Sequence, residues 1–157
     1  MNDLNTKASQ RIEQQIENLD FAYQRAQKAW QGYLTTSDDL YLDGVALNIH
    51  GFYEGIEQLF LWLATYVDDG VPQGGNSHKL LLLQMAMKVP SQRPAVISEE
   101  CRGILDELRE FRHVVRHIYP FQLDPNQMQR LVAKVAQVLP LLREELSLFS
   151  RFLAESQ

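Results

Sequence analysis

The 157-residue chain has one cysteine, Cys101, so no disulfide can form within it. A lone thiol fits the reducing conditions of the cytosol. Long apolar runs are also missing. The longest, residues 59–67, falls under ten residues and carries a threonine, whereas a membrane span needs about 20. No basic segment followed by an apolar stretch opens the chain, so a secretory leader is not expected. Repeats, low-complexity tracts and linkers long enough to divide the chain are absent as well. These absences point to one domain over residues 1–157, large enough to bury a core without disulfides or metal, in a protein of the cytoplasm with no membrane contact.

Charge is present in ordinary amount, 22% of residues, but is unevenly placed. The net charge of −5 argues against nucleic-acid binding by the whole surface. Residues 1–78 carry four Lys/Arg against eleven Asp/Glu, and residues 79–157 carry eleven against nine. A phosphate chain is therefore expected in the second half, where Arg102, Arg109, Arg112 and Arg116 lie close together.

The apolar residues are spaced for helices. Ile12, Ile16, Leu19, Tyr23, Ala26, Trp30 and Tyr33 alternate steps of four and three, predicting a helix over about 8–34. Ser37 or Asp38 suits the N-cap of a second, over about 39–67. That helix carries two apolar stripes, one from Leu42 through Leu63 to Tyr66 and one of Ala46, Tyr53, Phe60 and Val67, which places it centrally. A Gly- and Pro-rich break at 68–76 precedes a short helix over about 77–88. Ser98 caps a fourth helix, with Glu99 and Glu100 in its first turn and Ile104, Leu108, Phe111, Val115 and Ile118 on its apolar side. Pro120 should end it at Tyr119. Asp124-Pro125 starts a fifth helix reaching about Ala154, with Gln127 placed for a capping box and Pro140 expected to kink it. The fold class is all-α, an up-and-down bundle of about five helices.

One stretch stands out from this scaffold. Phe111-Arg112-His113-Val114-Val115-Arg116-His117-Ile118-Tyr119-Pro120 sets two histidines and two arginines in six positions. At about 100° per residue, Arg109, Arg112, His113, Arg116 and His117 lie opposite the apolar arc, with Arg112 and His117 about 140° apart. One straight helix cannot aim both at the same small group, so a neighbouring helix or a second chain has to complete a pocket. Spacing alone also fits a solvated basic face whose arginines pair with Asp106, Glu107 and Glu110. A zinc site on His113 and His117 is a third reading, but Val114 stands where a His-Glu-x-x-His motif needs glutamate, and no third ligand is obvious.

Arg112, four residues, His117, one residue, Tyr119, with His113 directly after the arginine, closely resembles the signature of the HEPN superfamily, and within it the HepT-like ribonuclease toxins. The resemblance extends to Phe52-Tyr53-Glu54-Gly55-Ile56-Glu57-Gln58-Leu59-Phe60, to Asp69-Gly70-Val71-Pro72 and to His78-Lys79-Leu80-Leu81. It covers most of residues 40–120, while the outer helices agree in length and pattern only. Ser77 departs from it, because many relatives have tryptophan there.

The resemblance implies a metal-independent endoribonuclease with no cofactor, working as a homodimer whose active site lies in the cleft between two motif helices. Arg112 and His117 would then be catalytic, with His113 in support and Arg109 and Arg116 tracking the RNA backbone. It also implies a nucleotidyltransferase antitoxin as partner, transferring AMP to Tyr119. Two other classes stand beside it: a non-catalytic HEPN helical module that binds a nucleotide or a nucleotidyltransferase, and a plain oligomerisation bundle. The last gives no reason to gather Arg112, His113 and His117.

Overall fold

The structure is a computed structural model that describes residues 2–117 and 122–156, with side chains for 3–112 and 122–156. Its elements are five helices in the expected order: α1 (Asn2–Thr36), α2 (Leu40–Tyr66), α3 (Ser77–Met85), α4 (Glu99–His117) and α5 (Pro125–Glu155). No strand occurs among the described residues, only an isolated bridge between Val89 and Arg93. No helix among them is long and apolar enough to cross a membrane.

Three long helices form the frame. α1 lies along both α2 and α5, and α4 packs on α2, α5 and the short α3. The alternating spacing read from the sequence is the buried face in each case. Met128, Leu131, Val135, Val138, Leu142, Leu146, Phe149 and Leu153 of α5 are all buried, as are Ile104, Leu108 and Phe111 of α4. Tyr66 departs from its expected place in the α2 stripe, being 53% exposed. A seven-residue apolar repeat drifts by about 20° per heptad on a straight helix, and by the end of α2 that drift has carried the stripe off the core.

Two glycines lie where α1 meets α2. A Cβ at Gly55 would meet the Gln15 amide nitrogen at 2.4 Å, and one at Gly32 would meet the Tyr41 ring at 2.5 Å. Between these helices Ser37 takes a left-handed backbone, and the Asp38 carboxylate accepts from the Leu40 backbone N–H at 3.0 Å.

The connection around α3 is built on one buried ion pair. Arg93, its side chain 2% exposed, donates through Nε and Nη2 to the Asp68 carboxylate, through Nη1 to the carbonyls of Met87 and Pro94, and through Nη2 to that of Gln84. All five guanidinium N–H groups are thereby satisfied. α3 ends at Met85, three residues before its expected end, and the Met85 carbonyl accepts from the Val96 and Ile97 N–H groups.

The start of α4 is clamped from outside. Ser98 Oγ accepts from the Cys101 N–H at 3.1 Å, as expected of an N-cap, and Ser98 in turn gives its own N–H and hydroxyl to Glu145 of α5, each at 2.7 Å. Asp124 caps α5 by accepting from Asn126 N–H at 3.0 Å, with Pro125 in the first turn; the helix continues through Pro140.

Candidate active site

α2 is apolar along most of its length, yet His50, Glu54 and Glu57 recur at steps of four and three on the side that meets α4. Tyr53 belongs to the same strip. Across from it α4 presents Arg109 and Arg112, one turn apart. The result is a polar seam inside an otherwise apolar contact.

Arg112 donates from Nε to Glu54 Oε1 at 2.6 Å, with its side chain 14% exposed. This bond is the first cause holding its pKa above the ordinary arginine value; burial opposes it and the charges of Glu57 and Glu54 add to it. His50 Nε2 stands 3.7 Å from the same Glu54 oxygen. Deeper in the seam Glu57 is buried and bonded to His78 Nδ1 of α3 at 2.8 Å. Arg109 pairs along its own helix with Asp106 at 2.8 Å.

Two buried polar atoms in the seam, His50 Nδ1 and Tyr53 Oη, make no hydrogen bond of ordinary geometry among the described residues, although the Glu57 carboxylate lies close enough to act on the Tyr53 hydroxyl. Burial first, and the Glu57 carboxylate second, push the Tyr53 pKa upward, so the phenol stays neutral. Unsatisfied buried polar groups cost stability, and their gathering in one place commonly marks a functional site. Cys101 is a different case. It is fully buried and burial raises its pKa, so it is no nucleophile.

The residues expected at the site divide into three groups. Arg112 is turned inward onto α2, because the neighbour it meets there carries a carboxylate rather than another apolar side chain. Arg109 pairs with Asp106, as the solvated-face reading has it, whereas Glu107 takes Lys134 of α5 at 2.8 Å instead of an arginine. His113, Arg116 and His117 lie on α4, their side chains outside those described, and Tyr119 lies outside the described residues. No group of three or more His, Cys, Asp or Glu placed to hold a metal occurs among the described residues; the zinc reading rests on His113 and His117, which are not among those side chains.

Sequence reasoning gave no role to His50, Glu54, Glu57 or His78. Their signal was available, since carboxylates at 54 and 57 interrupt a helix buried on a broad face. Glu57 even stands between Tyr53 and Phe60 of the second apolar stripe.

The fold and seam define a class: an all-α bundle in which a motif arginine of one helix is oriented by a carboxylate of the central one. The sequence model of the family described as HepT-like protein matches residues 44–153, and the chain belongs to that family, within the HEPN superfamily. No curated protein and no solved structure matches it.

Proposed function

We propose that the protein is a metal-independent endoribonuclease, the toxin of a pair whose antitoxin is a nucleotidyltransferase. The observation that carries this reading is Arg112, a motif residue of a HepT-like chain, held by Glu54 with its side chain largely out of solvent. An arginine so oriented is suited to gripping a phosphodiester with a planar fork of donors.

In the reaction, the ribose 2′-oxygen attacks the adjacent phosphorus while the bond from phosphorus to the 5′-oxygen breaks. The 2′-hydroxyl proton leaves to a base and the departing 5′-oxygen receives one, giving a 2′,3′-cyclic phosphate and a 5′-hydroxyl end. His117 handles a proton in this exchange, its imidazole being of the type that titrates near neutrality. Arg112 stabilises the added negative charge on the phosphoryl oxygens. His113 orients this pair, and Arg109 and Arg116 follow the RNA backbone. Because Arg112 and His117 diverge around α4, a second copy of the chain completes the cleft, making the working unit a homodimer. The antitoxin silences the site by joining the Tyr119 hydroxyl to the α-phosphorus of ATP with release of pyrophosphate. The anionic nucleotide then occupies the arginines.

RNA cleavage in excess EDTA by wild type, Arg112→Ala and His117→Ala tests this. Wild type is expected to cut, leaving cyclic phosphate ends, and each variant to lose at least about a hundredfold in rate. Cutting that survives both substitutions removes the site, and cutting abolished by EDTA replaces this chemistry with a metal-dependent one.

A further inference from the structure

The first half of the chain is acidic as a whole, but α1 gathers its four cations along one side. At about 100° per residue, Lys7, Arg11, Arg25 and Lys28 fall within an arc of about 100°, which also holds Asp3, while Glu13, Glu17 and Asp20 fall in an adjoining arc of about 60°. The acidic side turns toward α5, where Asp20 is bound by Arg143 at 2.7 Å. The basic side is exposed and carries Phe21, 63% exposed, between its cations.

Where this basic side meets the end of α2, an open groove of about 790 Å³ runs between the helices. That volume lies within the range of about 300–1,000 Å³ usual for ligand sites. Its walls supply two cations, Lys7 and Arg11, amides such as Gln14 and Asn18, and the rings of Trp62 and Tyr66, with no carboxylate among the lining residues. The two rings lie 4.9 Å apart at 42°, and the Arg11 guanidinium stands 5.0 Å over the Trp62 ring. Tyr66, displaced from the core stripe, is thus an exposed aromatic beside a cation. Lys7 pairs with Asp3 at 3.1 Å, but both side chains are well exposed, at 63% and 79%, and such a pair is weak and readily exchanged.

Cations that follow a backbone, aromatic faces that stack bases without regard to sequence, and amides that reach base edges are the parts of a single-strand binding groove. We propose that the α1–α2 groove binds single-stranded RNA. α1 lies outside the span matched to the family, residues 44–153, so this wall of the groove is separate from the features that identify the family. Trp62 stands eight residues beyond Glu54, about 12 Å along the α2 axis and about 80° around it. The groove is thus separate from the seam that holds Arg112. Its role as a hold on the substrate tail rests on the endoribonuclease reading; binding itself does not.

The chain has two tryptophans, so Trp30→Phe leaves Trp62 as the sole reporter. The probe is a ten-residue 2′-O-methyl oligouridine or oligoadenosine, which lacks the attacking hydroxyl. Saturable quenching of Trp62 by both oligomers is expected. Arg11→Glu with Lys7→Glu should weaken binding at least about tenfold and flatten its salt dependence by about 0.7 per charge removed. Anisotropy of a labelled oligomer on the otherwise unaltered chain gives a second measure, in which Tyr66→Ala should cost roughly 5- to 100-fold. Absence of binding, indifference to these substitutions, or equal quenching by UMP overturns the proposal. Equal quenching by polyglutamate also overturns it, in favour of an acidic protein partner. Quenching in a protein that cuts no RNA upholds the groove and removes the endoribonuclease reading; cutting without quenching does the reverse.

Discussion

Two arginines, one buried and one half-buried, divide this molecule. Arg93 gives every N–H of its guanidinium to the chain, tying the end of α2 to the loop after α3. Arg112, less enclosed with its side chain 14% exposed, is held through Nε to Glu54 and makes no further hydrogen bond among the described residues; beside it, His50 Nδ1 and Tyr53 Oη are buried polar atoms without a hydrogen bond of ordinary geometry. A saturated arginine has nothing left to offer a ligand. One anchored at a single nitrogen is oriented and still able to donate.

Substitutions can break or sharpen that contrast. The largest effect belongs to Arg93→Ala, which leaves Asp68 buried without its partner and should cost about 3–5 kcal/mol in urea unfolding. A loss under about 1 kcal/mol would mean the pair is not the staple it looks like. Arg112→Lys keeps the charge and removes the fork. It should lower RNA cleavage by about 10²–10³ while shifting stability by only about 1 kcal/mol, and equal losses of folding from the two arginines would erase the distinction between them. Smallest is Tyr53→Phe. Removing an unsatisfied hydroxyl should leave stability unchanged or raise it by up to about 1 kcal/mol in a thermal melt; a clear loss would show that Tyr53 Oη has a partner in solution.

Much of the frame was legible because helix packing is a local code. Alternating steps of four and three located α1, α2, α4 and α5, the Gly- and Pro-rich break located α3, and Ser98 and Asp124 are caps as expected. α1 starts at Asn2 rather than near Ala8, since adding a turn to an existing helix costs little even without an apolar position to anchor it. The pairing of Arg112 with Glu54 was not legible. The two residues are 58 apart in sequence, and a wheel drawn for one helix cannot say what its neighbour presents. For the same reason the polar arc of α4 read as facing water, although the margin bearing Arg112 faces α2. The early end of α3 was not legible either; the Met85 carbonyl there accepts from N–H groups more than ten residues downstream.

The clamp at Ser98 makes α4 a lever. Glu145 grips one end of the helix, and Arg112 rides thirteen positions from Glu99, about 20 Å along a rod rising 1.5 Å per residue. A tilt of about 5° at the fulcrum would swing Arg112 by about 1.7 Å, beyond the half-ångström or so that a catalytic group tolerates. Where Arg112 meets Glu54 therefore depends also on the far end of its helix, on a serine and a glutamate that add to the hold of the buried Leu105, Leu108 and Phe111.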